Sequence, residues 1–77
     1  MEDLLALLVE PLVSDMKKVK IEKIDEQDGT KYIIHIPQDE IAKVIGRGGK
    51  MIKSIKSLAK IRAIKEGIYI NVEVVEA

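Results

Sequence analysis

The 77 residues are enough for one small domain and too few for two. With 47% apolar and 34% charged residues the chain has the balance of a folded protein, which excludes disorder, and no run approaches the roughly 18 unbroken apolar residues of a membrane span. Cysteine is absent, which rules out disulfides, thiolate metal sites and cysteine nucleophiles and favours a reducing compartment, and the formal net charge of zero gives the chain as a whole no pull on a polyanion.

Residues 2–15 read as a helix. Glu2 and Asp3 fall in its first turn, where the helix dipole favours anions. Leu4, Leu5, Leu8 and Leu12 follow at helical spacing, and Pro11 inside the pattern is expected to kink the helix or end it early. The acidic start lacks the positive charge of a signal peptide, so a cytoplasmic location is expected. Residues 18–25 then alternate, Val19 and Ile21 against Lys20 and Glu22, with the period of a strand. Asp28-Gly29 is a turn signal, after which Tyr32, Ile34 and Ile36 resume the alternation on a second strand. Pro37 ends that strand, having no N–H for a sheet ladder.

Asp39 and Glu40 open a short helix through Ile41, Val44 and Ile45, and Gly46 stops it. A further helix runs from Gly49 to about Arg62, with Ile52, Ile55, Leu58 and Ala59 inward and Lys50, Lys53, Ser57 and Lys60 on other faces. Glu66-Gly67 is a turn. Ile68, Ile70, Val72 and Val74 then alternate with Tyr69, Asn71, Glu73 and Val75 on a last strand. The order is α-β-β-α-α-β, an α+β domain spanning residues 1–77. The helical crossover lets the second and third strands run parallel, giving a three-stranded mixed sheet with three helices on one face.

The neutral total hides a strong asymmetry. Residues 1–42 carry 5 basic and 10 acidic side chains, whereas residues 43–65 carry 8 basic and no acidic ones. Residues 66–77 add 3 acids. A phosphate chain approaching the middle segment meets one sign of charge.

Within that segment two helical stretches meet across Gly46-Arg47-Gly48-Gly49. Lacking Cβ atoms, glycines let a backbone turn sharply and another chain approach it closely. The start of the next helix leaves unpaired N–H groups and partial positive charge there, a favourable seat for a phosphate. Arg47 and Lys50 add full charges, with Lys43 and Lys53 within a turn or two. A nucleotide-binding P-loop is a poor alternative, since the loop follows a helix and Met51 takes the place of the Ser or Thr after the Lys.

Val44-Ile45-Gly46-Arg47-Gly48-Gly49-Lys50-Met51-Ile52 resembles the KH signature V-I-G-x-x-G-x-x-I at every specified position. The element order is similar to the type II KH fold. The acidic leucine-rich first helix, with Val9-Glu10-Pro11-Leu12-Val13, and an end soon after the last strand resemble the stand-alone bacterial single-KH proteins of the KhpA family. The resemblance implies a clamp on about four nucleotides of single-stranded RNA. Gly46, Arg47, Gly48 and Gly49 would lie against the backbone, with Lys43, Lys50 and Lys53 beside it. Val44, Ile45 and Ile52 would floor an apolar groove whose other wall is Ile34 and Ile36. It further implies homodimers, pairing with a larger KH-containing protein, and a post-transcriptional or RNA-chaperone role linked to cell elongation and division. A competing reading makes the same region a protein-interaction surface. With no aromatic residue near the loop, weak and sequence-tolerant binding is expected.

Nothing in the sequence supports catalysis, a metal or a cofactor. Ser14, Ser54 and Ser57 have no evident base, and the lone His35 falls on the sheet face away from the helices, where packing is its expected role. Tyr69 and Val75 share that outer face with Ile33.

Overall fold

Pro11 ends the first helix in the computed structural model, which describes all 77 residues. Helix α1 covers Glu2–Val9, and Glu10–Leu12 tightens into a 3-10 turn that needs no N–H from Pro11. The expected helix over 2–15 is therefore shorter. Val13 is extended, and a second 3-10 turn, Met16–Lys18, follows. Asp15 starts that turn by accepting the Lys17 N–H at 2.9 Å. Within α1 the fully buried pair is Leu5 and Val9, one turn apart, whereas Leu4 and Leu8 keep some exposure.

Strand β1 (Lys20–Glu26) pairs antiparallel with β2 (Gly29–Ile36), Ile21 opposite Ile34 and Glu26 opposite Gly29. Gln27 and Asp28 form the turn between them, one residue earlier than expected. Strand β3 (Ile70–Glu76) lies parallel to β2, Val72 beside Tyr32 and Val74 beside Ile34. With β2 central, this is the expected three-stranded mixed sheet.

Two further helices form the crossover, α2 (Ile41–Ile45) and α3 (Lys50–Glu66). Helix α3 runs a turn past Arg62 because its stop signal is Gly67, left-handed at φ 71°. The Gly67 N–H bonds Ile64 and the Ile68 N–H bonds Ala63, a Schellman closure. Ile68 is thereby held at the helix end, and the strand begins at Ile70. Arg62 and Glu66 pair at 2.7 Å in the last turn, which raises the Arg62 pKa.

The core joins Leu5 and Val9 to Tyr32, Ile34 and Ile36 of β2, Val44 of α2, Ile55 and Ala59 of α3, and Val72. Helix α3 turns the four-spaced set Ile55, Ala59 and Ala63 inward. Leu58, expected inside, is 48% exposed, because it sits about 100° around the helix from the centre of that set. The outer face of the sheet is open and carries Ile33, His35 and two cross-strand pairs. His35 Nε2 lies 3.0 Å from Glu22 and Lys31 lies 3.2 Å from Glu73. No helix is long and apolar enough to cross a membrane.

Candidate nucleic-acid interface

The interface is built where β2 stops. The Pro37 carbonyl accepts the N–H groups of Glu40 and Ile41 at 2.9 and 3.0 Å, folding the chain directly into α2. Asp39 and Glu40 stand immediately before the helix, Glu40 at its N-cap position, where they open it as expected. Glu40 is 6% exposed, and its carboxylate accepts both the Ser14 N–H, at 2.8 Å, and the Ser14 hydroxyl. These bonds, the hydroxyl's foremost, hold its pKa below the usual glutamate range. Its other oxygen is buried without a partner. The pair ties the segment after α1 to the base of the loop-bearing helix.

Helix α2 closes with the Gly46 N–H on the Ala42 carbonyl at 2.9 Å. Gly46 then adopts φ 77°, ψ 172°, and a 3-10 turn over Arg47–Gly49 leads into α3. Gly48 and Gly49 are left-handed, at φ 64° and 78°. A side chain added at either would meet nothing within 4 Å. The two positions face open space and are bare of side chains. Helix α3 has no side-chain cap at Gly49, and the N–H groups of Gly49 and Lys50 are taken by the carbonyls of Gly46 and Arg47 in the 3-10 turn.

Around this turn the cations stand free. Lys43, Arg47, Lys50 and Lys53 are exposed, and none enters an ion pair. Gly48 is exposed, and Gly46 and Gly49 are half-buried. Both half-buried Ile45 and Ile52 offer apolar surface beside the loop.

Three expected groove residues are elsewhere. Val44, Ile34 and Ile36 have no accessible surface and cannot touch a bound strand. Each is packed in the core, where it supports the groove from beneath. Alternation on β2 and the inward turn of α2 put them there, and the signature pattern alone does not separate floor from foundation. Ile41, one turn before Ile45, is half-buried as well and packs against the core.

A concavity lies elsewhere, at the other end of α3. It holds about 350 Å³ between the β1–β2 turn and the start of β3, lined by Glu26, Asp28, Tyr69 and Asn71 among others. Its carboxylates are the wrong sign for phosphate, so chemistry favours the basic turn over this pocket. No group of three or more His, Cys, Asp or Glu side chains is arranged to hold a metal.

The chain is similar to known proteins along almost its whole length. The family described as KhpA/KhpB, KH domain matches residues 2–74. A Chlamydia caviae protein named RNA-binding protein KhpA is 28% identical over 76 residues, covering 99% of this chain and 97% of the relative. The Listeria monocytogenes protein of the same name is also 28% identical over 76 residues, covering 99% of this chain and all of the relative. One from Clostridium perfringens is 25% identical over 75 residues.

Proposed function

Because the chain belongs to the KhpA/KhpB KH-domain family, we propose that it binds single-stranded RNA through Gly46-Arg47-Gly48-Gly49 and the first turn of α3. The observation that carries this reading is the open backbone at Gly48 and Gly49, ringed by unpaired cations. A phosphate seated there meets amide donors and positive charge together. Lys43, Arg47, Lys50 and Lys53 neutralise the strand, while Ile41, Ile45 and Ile52 receive the bases. No ring is available for stacking, and the module works as a low-specificity cytoplasmic RNA binder, suited to post-transcriptional regulation or RNA chaperoning in cell elongation and division. A KH domain is a binding module, and the chain is not an enzyme.

The test is the double variant Arg47→Asp, Gly48→Asp. Asp tolerates the left-handed conformation better than most residues, and nothing lies within 4 Å to clash. The fold therefore survives while affinity for a short oligonucleotide falls by roughly tenfold or more, a change of about 1.4 kcal/mol upward. For the native chain, neutralising about three phosphates gives a slope of log K against log salt near −2. Unchanged affinity in the double variant removes the site assignment.

A second reading rests on a different observation. Leu58 and Ile61 are 48% and 55% exposed on α3, and Met51 continues their stripe. Such a stripe suits pairing with a second copy or with another KH-containing protein. It lies on a flank of α3 away from Lys53, Lys56 and Lys60, so association and RNA binding are compatible.

A further inference from the structure

Helix α3 carries a row of lysines that runs on beyond those placed at the loop. Lys50, Lys53 and Lys56 succeed one another at intervals of three, and Lys60 follows. Residues three and four apart are neighbours on a helix surface, so the row descends without a break from the loop. From Lys50 to Lys60 it covers about 15 Å along the axis. None of these lysines is in an ion pair, although the same helix closes Arg62 onto Glu66. Nor is there an acidic side chain on the helix before Glu66. At about 100° per residue Lys53, Lys56 and Lys60 share an arc of about 60°, which adjoins Ile52 and is separate from the Leu58–Ile61 stripe.

We infer that the far end of this row is a second RNA subsite: a strand leaving the Gly46–Gly49 clamp continues past Lys53 along α3, with Lys56 and Lys60 against the next phosphates. The inference rests on the RNA-binding reading and adds the course of the strand and the class of ligand. That ligand is a single strand longer than the four nucleotides a KH clamp holds. The occupant follows from charge, since a stripe of unpaired cations continuous with a phosphate seat suits more of the same polyanion.

The experiment compares a uridine tetramer with a uridine decamer on the full chain and on the variant Lys56→Gln, Lys60→Gln. Gln matches Lys in helix propensity, so α3 is kept, and circular dichroism verifies it. The native chain is expected to bind the decamer at least tenfold more tightly after correction for the number of registers. Its salt slope should be steeper on the decamer by about 1.4, from two further phosphates at about 0.7 each. In the variant the decamer's advantage and the added slope disappear, and tetramer affinity changes less than threefold. A decamer advantage that persists in the variant overturns the subsite. So does an equal loss on both oligonucleotides, which would make the lysines part of the clamp. A native chain that binds neither oligonucleotide overturns the RNA-binding reading itself, a result distinct from the other two.

Discussion

Gly46 and Met51 pack so closely that a Cβ on Gly46 would lie 2.7 Å from the Met51 Cβ and 2.9 Å from its N. Real Cβ atoms do not come so near, so the loop is closed by contact at its base and open only at its crest. Gly46→Ala is expected to destabilise the fold by about 1–3 kcal/mol, combining a forced shift with a left-handed φ. Gly48→Ala, which meets no neighbour, is expected to cost about 1 kcal/mol from φ alone. Urea denaturation of the two variants checks this, and equal losses would contradict the clash.

Core and groove separate by substitution. Val44→Ala empties a fully buried site and is expected to cost about 2–3 kcal/mol, leaving the RNA affinity of the folded fraction unchanged. Ile45→Ser removes apolar surface next to the loop and is expected to lower affinity several-fold at less cost to stability. Paired denaturation and binding titrations distinguish the two, and the reverse pattern would return Val44 to the groove.

Acid acts through Glu40. Its folded pKa lies below the usual glutamate range because Ser14 donates to the carboxylate. As pH falls through the ordinary range the unfolded chain takes up the proton first, and stability drops until the folded pKa is passed. The contribution is complete at neutral pH. Ser14→Ala removes the largest cause, so the variant should have a lower Tm at pH 7 and a shallower loss of Tm on acidification. Parallel Tm curves for the variant and the native chain would deny the Ser14–Glu40 bond this role.

Association is expected to depend on the stripe rather than the loop. Leu58→Glu with Ile61→Glu should shift any dimer to monomer in analytical ultracentrifugation, without lowering tetramer affinity by more than about twofold. The Arg47→Asp, Gly48→Asp variant should keep the native oligomeric state. If the loop variant dissociates and the stripe variant does not, the interaction surface is the loop.

Much of the fold was legible because period and punctuation agree. Alternation at Tyr32, Ile34 and Ile36 fixed the central strand and its inner face, and the helical crossover required a parallel partner. Boundaries slipped where a competing local bond decided the matter. Glu66-Gly67 reads as a turn, yet the Schellman bonds at Gly67 and Ile68 extend α3 to Glu66 and delay β3 to Ile70. The 3-10 turn at Met16–Lys18 has no periodic signal; it comes from the Asp15 side chain. In the site, residue types and spacing located the loop and its cations. They did not reveal that Val44, Ile34 and Ile36 are sealed, because exposure depends on what packs above them. The Ser14–Glu40 bond joins positions 26 apart, a separation no local pattern reports.

Strands β2 and β3 are neighbours in the sheet, yet the chain travels from one to the other only through α2, the glycine turn and α3. The proposed clamp is thus the middle of the connection that the sheet needs in order to close. Unravelling either strand releases the clamp, and holding the clamp resists unravelling. Occupancy should therefore register in thermal denaturation of the entire molecule: ligand at a hundred times its Kd adds about 2.7 kcal/mol to global stability. A melting curve becomes a screen for oligonucleotides, with no label and no reporter on the loop.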